Sequence, residues 1–175
     1  TRSLLFRLTS PENKGMKLDD LFIVPCIPMK VNQQVEMTSS VYPVMVRIPC
    51  NPVLSLNVRT DGCLNPQFLT AVNLDFTGTT KLSDIASVTV IRGEEEPLIH
   101  HGEELFPKDS SQVLGTVKLA GSARPQISVK GNMELEPGDN YLWACVTMKE
   151  GASLDGRVVV RPASVVAGNK LVKVA

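Results

Sequence analysis

The sequence predicts an all-β fold, a two-sheet antiparallel β-sandwich with little helix. Three observations support this prediction. No segment of the 175-residue chain keeps the hydrophobic period of about 3.6 residues that marks an amphipathic helix. About nine or ten short runs of β-branched and apolar residues are separated by turn signals at intervals of roughly 8 to 14 residues. One run, residues 141–148, is apolar at nearly every position and holds the single Trp, which is typical of a central strand buried on both faces.

This predicted central strand begins at a sharp turn. Pro137 presets φ at about −65° and Gly138 can adopt a positive φ, so the pair favours a tight turn. The spacing Leu135-x-Pro137-Gly138-x-x-Tyr141 is similar to the tyrosine corner of fibronectin-type and immunoglobulin-type sandwiches, where the Tyr hydroxyl bonds to backbone just upstream. We therefore expect Leu135, Pro137, Gly138 and Tyr141 to form a structural corner of an Ig-like or jelly-roll-like sandwich.

The remaining elements follow from alternation and turn residues. Residues 68–76 alternate, with Phe68 and every second residue after it predicted to face the core. Residues 81–85 predict a single helical turn, and residues 93–112 a long surface loop. The other predicted strands are residues 4–8, 21–24, 44–48, 53–59, 88–92, 113–119, 127–130, 157–161 and 171–174.

Length and charge limit the domain organisation and the partners. The length fits one domain with an extension, which we divide into a leading segment, 1–38, of uncertain role with room for extra strands, and a sandwich domain, 39–175. The 18 basic and 18 acidic residues give a net charge of zero, which argues against nucleic acid as a partner. No apolar run reaches the roughly 18 residues that would span a bilayer, so membrane insertion is not expected. The N-terminus has too short an apolar core for a signal peptide, which leaves a cytoplasmic protein or one whose targeting segment has been removed.

The four cysteines contain no C-x-x-C pair, so neither a zinc ribbon nor a thioredoxin-like site is indicated. They are Cys26, Cys50, Cys63 and Cys145. Three complete pairings are open. Cys145, on the central strand, is interpreted as a small buried hydrophobe, and Cys50 and Cys63 flank one strand and are candidates to meet.

Candidate chemistry is sparse. The sequence contains no nucleophile elbow, phosphate-binding loop, zinc-protease or dinucleotide motif, so no catalytic residue is nominated. His100 and His101 lie in an acidic stretch, residues 94–104, but their spacing fits no zinc or calcium site, and we expect a solvated loop with no metal and no cofactor. Trp143 and Tyr141 share one face of the central strand, so they are candidate ligand-binding residues that could stack on a sugar ring; the alternative is that both belong to the core.

Several segments together resemble one family, the N-terminal domain associated with the Asp-box (BNR) propeller of bacterial sialidases (neuraminidases) of the Bacteroides type. Two of them are residues 78–88, Gly78-Thr79-Thr80-Lys81-Leu82-Ser83-Asp84-Ile85-Ala86-Ser87-Val88, and residues 148–154, Met148-Lys149-x-Gly151-Ala152-Ser153-Leu154. The others are residues 44–47 with 51–54, residues 69–76, the corner segment 135–143 and a closing valine-rich strand, and all follow the family's order. The resemblance covers about residues 41 to 170 of the sequence.

The resemblance implies a secreted or periplasmic, non-catalytic β-sandwich that is described as carbohydrate-binding-like and is attached to a sialidase. It implies two partners, host glycans (sialylated or galactose-terminated) and the catalytic domain of the same parent chain. No Asp-box is present, so no catalytic residue of the propeller can be assigned, and Arg47-Ile48-Pro49, which mimics a catalytic-domain segment, is interpreted as a coincidence within a strand. The alternative function is a structural scaffold that packs on the propeller without binding sugar, for which an exposed apolar patch is expected.

Overall fold

The computed structural model describes residues 26–32, 35–39, 43–93, 112–120 and 124–174. In these ranges the chain forms ten strands and one short 3-10 helix, arranged as two antiparallel sheets that face each other. The predicted all-β sandwich is therefore confirmed. The predicted strands at residues 4–8 and 21–24 lie outside the described residues, as does nearly all of the predicted loop at 93–112.

Among the described strands, six belong to the larger sheet and four to the smaller. Along the larger sheet the order is β1-β3-β8-β5-β6, with β2 also pairing with β3; along the smaller it is β10-β9-β4-β7. In chain order the strands are β1 Lys30–Val31, β2 Glu36–Ser39, β3 Asn51–Asp61, β4 Phe68–Asp75, β5 Ile85–Arg92, β6 Val113–Lys118, β7 Gln126–Glu134, β8 Gly138–Met148, β9 Arg161–Ala167 and β10 Lys170–Lys173; the 3-10 helix is Leu82–Asp84.

The central position of β8 is confirmed. It pairs with β3 on one edge and β5 on the other, and every residue from Leu142 to Val146 is buried. Because neighbouring side chains on a strand point to opposite faces, Leu142, Ala144 and Val146 enter the core between the sheets, whereas Trp143 and Cys145 belong to a second apolar cluster on the outer face of the larger sheet.

The predicted core face of β4 is right only in its second half. Val72, Leu74 and Phe76 are fully buried, but Phe68 is 39% exposed and Leu69 is buried instead. A register shift between Leu69 and Ala71 in the pairing of β4 with both neighbours explains the difference. An extra residue at a β-bulge inverts the alternation on one side of it.

Two predicted strands are wrong. Residues 43–50 form a turn-containing loop in which Arg47 has a φ of 69°, and the side chain of Asn51 bonds to the backbone of Met45 and Ile48. The Arg47-Ile48-Pro49 segment therefore lies in a loop. Residues 157–160 are also not a strand, because their backbone bonds to the turn at Thr79 and Thr80 rather than to a neighbouring strand. The strand begins later, at Arg161.

Two disulfides correct the interpretation of the cysteines. Cys50 pairs with Cys145 and Cys26 pairs with Cys63. Cys145 is buried as expected but is not a free thiol, and the pairing of Cys50 with Cys63 is wrong. The start of β3 brings Cys50 to the outer face of β8, while its far end carries Cys63 to the segment before β1.

In the described part of the chain, one long side of the sandwich is closed and the other is open. At the closed side β6 and β7 touch through glycines: a Cβ on Gly131 would lie 1.7 Å from the carbonyl oxygen of Leu114, so only glycine allows this approach. At the open side lie β1 and β10, with one isolated bridge between Val35 and Val174. β1 lies in the predicted leading segment and pairs with β3, while the boundary at residue 39 stays a prediction.

Candidate functional site

Trp143 and Tyr141 lie on the outer face of the larger sheet. Trp143 is opposite Ser55 on one side and Ile91 on the other, and the residue is only 5% exposed. It packs in a cluster with Ile91 and the Cys50–Cys145 disulfide. Tyr141 is half-buried, opposite Asn57. The face of the indole ring therefore offers little surface on which a sugar could stack.

The corner that precedes β8 is held by residues that the sequence analysis missed. Leu135 is buried and Gly138 has a φ of 95°, as the predicted turn requires. The side chain of Asn140, which is 3% exposed, accepts a bond from the Glu136 amide at 2.8 Å and donates to the carbonyls of Glu136, Gly138 and Val58. The Thr60 hydroxyl donates to the Glu136 carbonyl and accepts from the Gly138 amide. The bond predicted for the Tyr141 hydroxyl stays a prediction.

The end of the sandwich that holds this corner is called here the corner end. It contains the end of β3, the Cys26–Cys63 disulfide and the hairpin between β9 and β10. The opposite end, called the Asp84 end, contains the start of β3, the 3-10 helix and the turns that follow β4 and β8.

Asp84 organises the Asp84 end. Its side chain is buried and accepts a hydrogen bond from the backbone amide of Ser153 at 2.9 Å, and its other oxygen lies 3.2 Å from the Lys81 ammonium. The Lys149 amide also donates to the Asp84 carbonyl. The bond from Ser153, opposed in part by desolvation and aided by Lys81, holds the pKa of Asp84 below its ordinary value of 3.8. A single carboxylate thus joins two of the segments that resemble the family, residues 78–88 and 148–154.

Further bonds fix the rest of this end. The Thr79 hydroxyl bonds to both the amide and the carbonyl of Val159, at 3.0 and 2.9 Å. Around these turns lies a pocket of about 310 Å³ with a mixed lining, in which apolar side chains of the 43–46 and 154–158 segments surround the Lys81–Asp84 pair. Leu154 at its rim is 89% exposed, and nearby Met45 is 51% exposed. The Asp84 end therefore presents apolar side chains on a backbone that hydrogen bonds hold in place.

A second concavity lies on the open side, towards the corner end, and is called here the edge cleft. It has a volume of about 580 Å³ and lies between residues 29–31 on one side and residues 167–173 on the other. Among the residues that the structure describes, its lining includes Lys30, Lys170 and Lys173 and no acidic side chain. The edge cleft is therefore a basic concavity.

Other kinds of site find little support in the described part of the chain. Among those residues no three His, Cys, Asp or Glu side chains gather as metal ligands would. His100 and His101 lie outside the described residues. Within the same part of the chain no helix has the length and apolar character needed to cross a bilayer.

The fold and these turns define a two-sheet antiparallel β-sandwich domain. The family model for the N-terminal domain of BNR-repeat neuraminidase matches residues 32–171. The chain belongs to this family, which confirms the resemblance seen in the sequence, while the Bacteroides type stays a prediction. It is thus the N-terminal type of domain and not the catalytic one.

Among solved structures, the chain is similar to one named Hadza microbial sialidase Hz136, with a TM-score of 0.60 and 19% sequence identity. The match covers 81% of this chain and 30% of that one, so the chain corresponds to less than a third of the sialidase. At this identity the likeness supports the fold. No curated protein sequence matches the chain.

Proposed function

We propose that this chain is a non-catalytic accessory domain of an extracytoplasmic sialidase, and that it serves as a scaffold that packs on the catalytic domain through its Asp84 end. Membership of the neuraminidase N-terminal family supports the parent enzyme. The two disulfides support an oxidising compartment, since such bonds persist outside the cytoplasm.

The main observation in favour of the scaffold function is that Leu154 is exposed on a turn whose backbone is hydrogen-bonded to a buried side chain. Leu154 is 89% exposed, yet the amide of the preceding residue, Ser153, is bonded to the buried Asp84 carboxylate. An apolar side chain on a fixed backbone loses less conformational entropy on docking than one on a mobile loop. With Met45 and the apolar part of the 310 Å³ pocket it provides a surface that would gain by burial.

The carbohydrate-binding alternative depended on an accessible aromatic platform. Trp143 is only 5% exposed, and Tyr141 alone offers a half-buried ring. The geometry therefore favours the scaffold over sugar binding, and a glycan ligand remains the competing outcome of the test.

The test uses the parent polypeptide, including its catalytic domain, in differential scanning calorimetry. Two packed domains should stabilise each other, so the sandwich should unfold at a higher temperature in the parent than as the 175-residue chain. Leu154→Glu should remove most of this increase, whereas the matched change Leu171→Glu, at a residue 63% exposed beside the edge cleft, should leave it. Equal unfolding temperatures for chain and parent would contradict the scaffold, and saturable binding of sialyllactose by the chain would replace it with a carbohydrate-binding function.

A further inference from the structure

Among the described strands, the edge cleft is bordered by the last strand of each sheet. β1 is the last strand of the larger sheet and β10 the last strand of the smaller one. In an antiparallel pair every second backbone amide and carbonyl points away from the partner, so β10 directs such groups away from β9. Free strand edges of this kind can accept an added strand from another polypeptide.

One contact shows that this edge can pair. Val35 forms an isolated parallel bridge with Val174, just beyond the end of β10, and Val35 is completely buried. The bridge therefore lies just past the end of β10 that points towards the Asp84 end of the sandwich. The four residues of β10 itself pair with β9 alone among the described strands.

The side chains of the cleft combine an apolar floor with a positive rim. Met29, Ala167 and Val172 are buried and form part of the floor. Lys30, Lys170 and Lys173 are exposed at the rim. Asp61 lies opposite Lys30 in the β1–β3 pair. The two lysines of β10, in contrast, lie opposite Ala167 and Ser164, so no described acidic residue faces them across the strand pair.

We propose that the edge cleft binds an extended, acidic segment of another polypeptide, which adds to β10 as a further strand. Backbone bonds to β10 would supply the pairing, and apolar side chains on one face of the added strand would cover the floor beside Val172. Carboxylates on the other face would meet Lys173, which points away from Val172. Lys170, on the face of Val172, adds positive charge at the other end of β10. Four residues of an added strand span about 13 Å at roughly 3.3 Å per residue, which matches the length of β10. This site lies at the opposite end from Asp84 and does not depend on the proposed scaffold function.

Two other occupants fit the cleft less well. Lysines along an edge strand repel a second copy of the same strand, so pairing of β10 with β10 of another chain is disfavoured. An anionic glycan would be attracted by the lysines, but the described lining has no aromatic ring for stacking and no arginine for bidentate contact with a carboxylate.

The binding test uses the ¹⁵N-labelled chain and three synthetic peptides. The first peptide, Glu-Val-Glu-Val-Glu-Val, is acidic and strand-forming; Lys-Val-Lys-Val-Lys-Val has the same pattern with opposite charge; Glu-Pro-Glu-Pro-Glu-Pro keeps the charge but cannot pair as a strand. We expect the first peptide alone to shift the amide resonances of β10 and to slow hydrogen exchange at those that face away from β9. No shift at millimolar peptide, or equal binding of the proline peptide, would overturn the proposal, and so would displacement of the first peptide by sialyllactose.

A charge-matched pair of variants locates the site. Lys170→Glu with Lys173→Glu should weaken binding of the acidic peptide by at least about tenfold, because like charges would then lie close together. Lys118→Glu with Lys130→Glu makes the same change in net charge at exposed residues of β6 and β7, outside the cleft, and should leave affinity within about twofold. Equal losses in both double variants would mean that net charge alone governs binding and would also overturn the proposal.

Discussion

The two ends of the sandwich use similar means to hold their turns but leave different chemistry at the surface. At the corner end, Asn140 and Thr60 fix the turn before β8, and the neighbouring edge cleft carries three lysines. At the Asp84 end, a carboxylate and Thr79 fix the turns, and the exposed side chains at the rim include Leu154 and Met45. A buried polar side chain can hold a loop so firmly that the loop can present an apolar residue to a partner without collapsing onto the core.

The largest difference in stability between the two ends should appear when their disulfides are removed. Cys50–Cys145 joins residues 95 apart and is 1% exposed, whereas Cys26–Cys63 joins residues 37 apart and both its cysteines are exposed. Cys50→Ala with Cys145→Ala should cost about 4 to 5 kcal/mol from loop closure alone, plus a packing loss beside Trp143, and Cys26→Ala with Cys63→Ala about 3 to 4 kcal/mol. Urea unfolding of both double variants measures the costs. The reverse order would contradict the claim that the outer-face cluster on β8 is part of the packed structure.

Asn140 tests the corner end. Asn140→Ala should lower the free energy of unfolding by about 2 to 4 kcal/mol, because it leaves the Glu136 amide and several carbonyls without their partner. The matched change Asn132→Ala, at an exposed residue of β7, should stay within about 0.5 kcal/mol. If the two substitutions had equal effects in urea unfolding, Asn140 would not be the residue that holds the corner.

The Asp84 end can be tested by the pH dependence of the stability that Asp84 contributes. Because the folded-state pKa of Asp84 lies below its ordinary value of 3.8, its carboxylate contributes stability above that value and loses this contribution as the pH falls through the folded-state pKa. Asp84→Asn should therefore lower the unfolding temperature at neutral pH. The difference in unfolding temperature between this variant and the unmodified chain should disappear in acid. Asp75, at the same end, has a pKa lowered by its hydrogen bonds from Thr77. Asp75→Asn is therefore the control variant, because it removes another carboxylate but keeps the pH-dependent stability that Asp84 contributes. A gap that did not change with pH would show that the charge of Asp84 contributes nothing.

The smallest expected effect concerns the exposed apolar residues in the 175-residue chain itself. Leu154→Glu and Leu171→Glu, at 89% and 63% exposed positions, should each change the free energy of unfolding by less than about 0.5 kcal/mol. Urea unfolding of the two variants checks this. A large loss for Leu154→Glu alone would mean that Leu154 packs on its own domain, and its role in docking would be lost.

Most of the sandwich was predictable because alternation and turn residues act locally. The central strand, the strands at 53–59 and 113–119 and the helical turn at 81–85 all rest on short-range patterns that the structure confirms. The two wrong strands, at 44–48 and 157–161, are also rich in valine. Their backbone bonds go to Asn51, Thr79 and Thr80 instead, and such distant side-chain bonds leave no periodic signal in the sequence.

The candidate sites were less predictable for the same reason. The disulfide between Cys50 and Cys145 depends on the pairing of β3 with β8, which the spacing of cysteines does not reveal. The edge cleft depends on two strands far apart in sequence, β1 and β10, lying on one side of the sandwich. Asn140 could have been predicted from the local sequence, since an Asn just after a Pro-Gly turn often bonds to nearby backbone. It was missed because the hydrogen bond that holds the corner was assigned to Tyr141 alone.

The most direct test of the scaffold function is hydrogen exchange measured on the parent polypeptide and on the 175-residue chain side by side. If the domain packs through its Asp84 end, amides of residues 152–157 should exchange more slowly in the parent, while those of the corner at residues 135–140 should exchange at the same rate in both. Equal exchange at residues 152–157, or slowing confined to the corner, would contradict docking through the Asp84 end.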